Sequence, residues 1–207
     1  GWDTVLKKST HAAEQLRPDV VEQRNHWHEA QDTVDPERLV FLDETGLKTD
    51  MNRLRGWAES GQRLIERAVA GRWETYTLVH AIGLDGTRAA MVLQGPMNGS
   101  WFTAFCEQLL APQLSAGDLV VLDNLASHKN EAAKHVIESV GARFVFLPPY
   151  SPDLNPIENI FAKLKQLIRK IRPKSWKQIV KAAKEALMKI ELDDIFNSFV
   201  HAGYEAT

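Results

Sequence analysis

Two short apolar segments that end in aspartate constrain the fold of this chain more than any other feature. RLVFLDETG, residues 38–46, predicts a buried strand that ends at Asp43, with Thr45 and Gly46 opening a turn. GDLVVLDN, residues 117–124, predicts a second buried strand that ends at Asp123. Continuous apolar strands of this kind are typical of a sheet that is covered on both faces.

The segments between and after these strands predict the covering helices and the rest of the sheet. Residues 74–95 alternate or run apolar on both sides of Asp85 and Gly86, which indicates a hairpin. ARFVFLPPY predicts a third strand that is halted by two prolines. Helical patterns cover residues 98–111, 130–141, 156–171 and 175–190. A hairpin followed by alternating helices and strands predicts an α/β fold with a mixed sheet.

Composition excludes several classes of protein. The chain has 207 residues, of which 44% are hydrophobic and 25% charged, which suits a globular protein with a real core. Its single cysteine, Cys106, excludes an internal disulfide and a multi-cysteine zinc site, and its helical apolar spacing predicts a core position. No apolar run is long enough for a membrane span or a signal peptide, so we expect a cytoplasmic protein.

Three acids are expected to meet at one edge of the predicted sheet. Asp43 and Asp123 end their strands, and Glu158 lies in the first turn of the helix that follows the third strand. Sites in open α/β sheets lie at the carboxyl ends of strands. Each aspartate alone could equally cap a turn. Together, three carboxylates would bind hard divalent cations such as Mg²⁺, and two such ions would support displacement at a phosphodiester.

Glu158 lies within SPDLNPIEN and has two interpretations. With Asn155 as N-cap and Pro156 at the first helical position, Glu158 occupies the third position and would complete a capping box. Alternatively, its carboxylate would bind a metal ion. The metal role is our prediction, because Glu158 lies off the apolar stripe of its helix and shares its side with Lys165 and Arg169. Such cations could neutralise a nucleic-acid backbone or simply form a solvated face.

Three motifs in order resemble the catalytic core of DDE transposases, in the mariner-like group and its bacterial insertion-sequence relatives. They are FLDETG with Asp43, VVLDNLASHK with Asp123, and LPPYSPDLNPIENIFAKLK with Glu158. The 34 residues between the second and third acids match the separation that is characteristic of that group. The resemblance covers about residues 39–172 densely.

The resemblance implies an RNase H-like fold, in which helices flank a mixed β-sheet on both faces. It implies two Mg²⁺ or Mn²⁺ ions per active site, with Asp43 bridging them while Asp123 and Glu158 each hold one. The family cleaves DNA at transposon ends and joins the 3′-hydroxyl to target DNA, usually at TA. We therefore expect DNA partners, a homodimer or higher assembly on DNA, no membrane, no small-molecule cofactor and a nucleoid-associated location in a bacterium.

Other residues near the motifs are predicted to support these roles. Glu44, Asn124 and His128 adjoin the predicted metal ligands and are predicted to hold them in place through hydrogen bonds. The predicted DNA-binding residues are Arg55, Trp57, Lys129, Lys165, Arg169 and Arg172. His128 could instead make only local hydrogen bonds, and Trp57 could instead be packed in the core.

The resemblance also suggests how the chain is divided. Residues 38–175 are predicted to form the RNase H-like catalytic domain, and residues 176–207 C-terminal helices packed on it. Residues 1–37 are predicted to be an arm or linker, the remnant of a helix-turn-helix DNA-binding region that the family carries and this sequence lacks.

Three rival functions remain open. One is an RNase H-like nuclease without strand transfer. Another is a catalytically silent DNA-binding domain. The third is a haloacid-dehalogenase phosphatase, which FLDETG resembles superficially, although Thr45 stands where that class needs an acid.

Overall fold

The computed structural model describes residues 13–31, 33–49, 51, 74–123 and 130–204. Five strands form one sheet in the order β3-β2-β1-β4-β5. They are β1 (Leu39–Lys48), β2 (Thr75–Gly83), β3 (Gly86–Gln94), β4 (Leu119–Leu122) and β5 (Arg143–Phe146). The first three strands pair antiparallel, whereas β4 pairs parallel with both β1 and β5, so the predicted mixed sheet is confirmed.

Six α-helices accompany the sheet in the described part of the chain. They are α1 (Pro18–Gln31), α2 (Gly99–Phe105), α3 (Glu131–Ser139), α4 (Ile157–Ile171), α5 (Trp176–Leu187) and α6 (Leu192–His201). A π-helical turn, Cys106–Leu110, extends α2 and buries Cys106 in the core as predicted. Within the described residues, no helix is both long and apolar enough to cross a membrane.

The sheet buries apolar side chains on both of its faces. Alternate residues of β1 point to opposite faces, so Phe41 joins a core with α4, α5 and α6, whereas Val40 and Leu42 join a second core with α2 and α3. The two cores explain why β1 and β4 are apolar without alternation, as the sequence predicted. We call these two sides of the sheet the α4 face and the α2 face.

The predicted end of β1 was wrong. The strand does not stop at Asp43 for a turn at Thr45 and Gly46; it continues to Lys48. Its parallel pairing with β4 stops at Phe41, but its antiparallel pairing with β2 continues to Lys48 opposite Thr75. The strand β2 supplies backbone hydrogen bonds that keep β1 extended past Asp43. The turn residues Thr45 and Gly46 alone did not predict this pairing.

The N-terminal segment forms a helix that contacts the distant end of the chain. Arg24 of α1 donates from Nη1 to Ser151 Oγ at 2.7 Å, and its two Nη atoms contact both carboxylate oxygens of Asp153. The indole of Trp27 donates to Tyr204 Oη at 3.0 Å. The domain boundaries at residues 37 and 175 stay a prediction, although α1, α5 and α6 all contact the same body of structure.

Candidate active site

The pairing of β1 with β4 brings Asp43 and Asp123 to the same level of the sheet. Phe41 lies opposite Val121, and each aspartate comes two residues further along its chain. Side chains two residues apart on a strand share a face, so Asp43 lies on the α4 face. Asp123 directly follows the last residue of β4, beyond the pairing, and lines the same cleft as Asp43.

Glu158 approaches the same edge from the helix that covers this face. The sequence-predicted stripe of α4 packs into the core, with Ile157, Ile160, Phe161, Leu164 and Ile168 buried. Glu158 is exposed in the first turn. The sheet and α4 therefore present all three predicted acids to one cleft.

The capping interpretation of SPDLNPIEN was wrong. The helix begins at Ile157, with Pro156 as N-cap and no side-chain cap hydrogen bond. The first turn is closed by backbone bonds instead, from Glu158 N–H to Asn155 O and from Asn159 N–H to Pro156 O, both at 3.2 Å. Asn155 does not cap the helix, because its carboxamide is directed to another partner.

That partner is Asp43. Nδ2 of Asn155 donates to Asp43 Oδ2 at 2.9 Å, and the backbone N–H of Glu44 donates to Asp43 Oδ1 at 2.6 Å. Asn155 is 5% exposed and Asp43 8% exposed. Each carboxylate oxygen of Asp43 thus accepts a hydrogen bond.

His80 lies directly across the sheet from Asp43 in the β1–β2 ladder. Residues opposite each other in an antiparallel pair share a face, so its imidazole is also on the α4 face, 6.4 Å from the Phe161 ring centroid. Burial lowers the pKa of His80 to about 4, so the ring is neutral near pH 7. Its Nε2 is 3.0 Å from Thr87 Oγ1.

The three acids line one cleft with a volume of about 390 Å³. The loop between β5 and α4 forms one wall. The lining residues are Asp43, Asp123, Leu147, Pro148, Pro149, Tyr150, Ser151, Pro152, Asn155 and Glu158.

The donors of this cleft fit a hard divalent cation by their chemistry. Carboxylate and carboxamide oxygens are the ligands that Mg²⁺ and Mn²⁺ prefer. Asn155 also lines the cleft, and its buried Oδ1 has no hydrogen-bond partner among the described residues. Across the described ranges, however, no three His, Cys, Asp or Glu side chains are gathered closely enough to hold a metal ion together.

A basic face runs along α4 away from Glu158. Lys165, Arg169 and Arg172 follow Glu158 at seven, eleven and fourteen residues, spacings that return to one side of a helix. Lys165 and Arg169 are half-buried, and Arg172 is exposed at the C-terminal end. At 1.5 Å per residue this face extends over about 20 Å.

The remaining predicted site residues divide into two groups. Glu44 contacts Asp43 through its backbone, while strand alternation directs its side chain to the α2 face. The others lie outside the described residues; they are Arg55, Trp57, Asn124, His128 and Lys129.

Two polar residues of the site were not predicted from the sequence. Asn155 was interpreted as a helix cap, and His80 was not singled out at all. A histidine inside the otherwise apolar run YTLVHAIG is an unusual buried polar group and could have signalled a role near the site.

Solved structures of known proteins share this architecture. The Mos1 transposase paired-end complex with the left transposon end matches with a TM-score of 0.78 and 18% identity, over 97% of this chain and 64% of that chain. The catalytic domain of Mos1 mariner transposase matches with a TM-score of 0.64 and 14% identity, over 95% of this chain and 92% of that one. The chain therefore spans less than two-thirds of the longer Mos1 chains, and it has the predicted RNase H-like fold.

A family model gives the more specific result. The model for the DDE superfamily endonucleases matches residues 38–180, which include all three acids. The chain belongs to this family. No curated protein matches it in a sequence comparison.

Proposed function

We propose that the chain is the catalytic domain of a DDE transposase that cleaves DNA at transposon ends and joins the 3′-hydroxyl to target DNA, at TA. The observation that carries the proposal is the single cleft lined by Asp43, Asp123 and Glu158, at the start of a helix with a basic face. Membership of the DDE superfamily endonucleases supports it, as does the likeness to Mos1 structures solved with transposon-end DNA and with Mn or Mg.

In this proposal the three carboxylates would hold two Mg²⁺ or Mn²⁺ ions, and Asp43 would serve both ions while Asp123 and Glu158 would serve one each. Bound divalent ions activate the attacking oxygen and stabilise the leaving oxygen in displacement at phosphorus. The hydrogen bond from the Glu44 backbone orients Asp43 for this role. Rigid support of this kind keeps a ligand in its productive geometry.

The basic face of α4 is proposed to bind the DNA backbone next to the cleft. The net charge of the chain is -2, so affinity for DNA must come from local rather than overall charge. Lys165, Arg169 and Arg172 provide that local charge, and binding should weaken as salt rises because phosphate contacts release counterions. A homodimer or larger assembly on DNA is part of the proposal, consistent with the paired-end complexes of Mos1.

The test is the substitution Asp123→Asn. We expect Mn²⁺-dependent DNA cleavage to fall by more than about 100-fold, because a metal ligand loses its charge, with little change in thermal stability or nonspecific DNA affinity. Asp193→Asn is the matched control, since Asp193 is exposed on α6, and it should cleave like the parent. Equal cleavage by Asp123→Asn and the parent would refute the catalytic site.

A second assay separates the transposase from its rivals. A precut duplex with the terminal sequence of the encoding element is incubated with plasmid DNA and Mn²⁺, and joined products are measured. A transposase yields joined products. Cleavage without joining would indicate an RNase H-like nuclease, and DNA binding with neither activity would indicate a silent DNA-binding domain.

A further inference from the structure

Asn155 combines two features that its position in the loop does not explain. Its Nδ2 contacts a residue 112 positions away, Asp43, and its Oδ1 is buried without a hydrogen-bond partner in the described part of the chain. A buried carbonyl-type oxygen without a partner destabilises a folded protein. A buried unpaired group therefore needs a reason in the structure.

Helix capping does not account for the residue. The first turn of α4 is closed by backbone hydrogen bonds, and the side chain of Asn155 takes no part in them. The amide serves Asp43 without adding charge, whereas an aspartate at position 155 would place a second carboxylate against the first.

The loop that carries Asn155 is held from outside the cleft. Tyr204 Oη donates to Leu154 O at 2.8 Å, directly before Asn155. Arg24 contacts Ser151 and Asp153, and Gln15 Nε2 donates to Tyr150 O at 2.6 Å. These contacts hold the backbone of the loop, so the amide is presented to Asp43 from a rigid support.

We propose that Asn155 is a positioning residue for cation binding, an inference that rests on the proposed function. Its Nδ2 holds the Asp43 carboxylate in the orientation in which that carboxylate would bind the cation. This arrangement leaves Oδ1 enclosed by protein without a partner, a cost that packing of the loop alone does not explain. Asn155 and Asp43 line the same cleft.

The test compares Mn²⁺ affinity, measured by calorimetry with and without DNA, in Asn155→Ala and the parent. We expect the affinity of Asn155→Ala to fall about 10- to 100-fold, the usual effect of losing a residue that supports a metal ligand. The control is Asn159→Ala, an exposed asparagine one turn further along α4 that does not line the cleft, and its affinity should equal that of the parent.

A residue that served only to pack the loop would behave differently. Its loss would lower the stability measured in EDTA without changing Mn²⁺ affinity, and that result would overturn the inference. The double variant Asp43→Asn/Asn155→Ala should bind Mn²⁺ no more weakly than Asp43→Asn alone. If Asn155→Ala lowers the affinity as much in the Asp43→Asn variant as in the parent, Asn155 does not act through Asp43. If Asn155→Ala does not fold, Asn155→Leu replaces it, because leucine fills the volume and removes both polar atoms.

The variant Asp123→Asn distinguishes failure of the proposed metal site from failure of the proposed role of Asn155. If it and the parent bind Mn²⁺ equally, or if the parent binds none even with DNA, the proposed function fails, and the role of Asn155 fails with it. If Asp123→Asn loses Mn²⁺ while Asn155→Ala retains it, the metal site stands and only the role of Asn155 is refuted.

Discussion

Arg172 shows how a single residue joins backbone geometry to function. It ends α4 with φ 56 and ψ 55, a left-handed conformation that helices usually assign to glycine. Its side chain stands at the end of the basic face that begins near Glu158. Arginine at this position therefore has backbone strain that glycine would not have. It also places a cation where we propose that DNA binds.

Two substitutions separate the strain from the charge. Arg172→Gly and Arg172→Ala both remove the guanidinium, so DNA affinity should fall by the same factor in both. Only glycine accepts a positive φ without steric cost, so the free energy of unfolding should be about 1 kcal/mol higher for Arg172→Gly than for Arg172→Ala. Urea denaturation and a DNA-binding titration measure the two effects. Equal stabilities would show that the left-handed end of α4 is not kept in solution.

At the scale of elements, α4 is joined to α6 by an ion pair as well as by the core. Lys163 of α4 contacts Asp194, and Asp194 also accepts the N–H of Glu191 at 2.8 Å in the capping box that starts α6. The hydrogen bond from Lys163, followed by that from Glu191, holds the pKa of Asp194 below its usual range. One carboxylate thus supports the start of α6 and its attachment to α4, the helix that carries Glu158.

The stability that Asp194 contributes should depend on pH. Its pKa is lower in the folded protein than the value of 3.8 expected in the unfolded chain, so its contribution is present above about pH 4 and is lost as pH falls through the folded value. We expect Asp194→Asn to be less stable than the parent by about 1 kcal/mol at pH 7. The difference should shrink as the pH falls below about 4, as measured by urea denaturation. Asp193→Asn is the control and should show no such pH-dependent gap.

At the scale of the whole molecule, the two ends of the described chain meet behind the cleft. Arg24 in α1 contacts Ser151 and Asp153, which precede Glu158, and Trp27 contacts Tyr204 near the C-terminal end. Tyr204 in turn donates to Leu154 O. The helix α1 therefore contacts the loop between β5 and α4, directly and through Tyr204.

Loss of the contacts between α1 and the loop should lower cleavage at the candidate active site. Arg24→Met keeps the apolar stem and removes the guanidinium, so we expect the free energy of unfolding to fall by about 1 kcal/mol and Mn²⁺-dependent cleavage to fall as well. Arg17→Met is the control, because the Arg17–Asp19 pair is exposed and local, and it should leave both quantities unchanged. Normal cleavage by a folded Arg24→Met variant would show that α1 does not support the loop.

Much of the fold and the order of the acids could be predicted from local patterns. The hairpin at Asp85 and Gly86, the strand before Asp123 and the apolar stripe of α4 are periodic features of short segments, and local periodicity reflects which side of an element is buried. The errors occur where a distant partner decides the outcome. The continuation of β1 past Asp43 depends on β2, and the amide of Asn155 leaves its own helix for Asp43.

The sequence by itself therefore determined most of the elements, their burial and the placement of three acids at or near the ends of strands and the start of a helix, because these depend on residues near each other in the chain. Only the tertiary structure decided that Asp43 and Asp123 lie at one level of the sheet, that α1 supports the loop before Glu158, and that Asn155 holds Asp43. These features join residues that are far apart in the chain; Asn155 and Asp43, for example, are 112 positions apart. No local pattern encodes such a contact. Packing of the elements around the shared sheet brings them together.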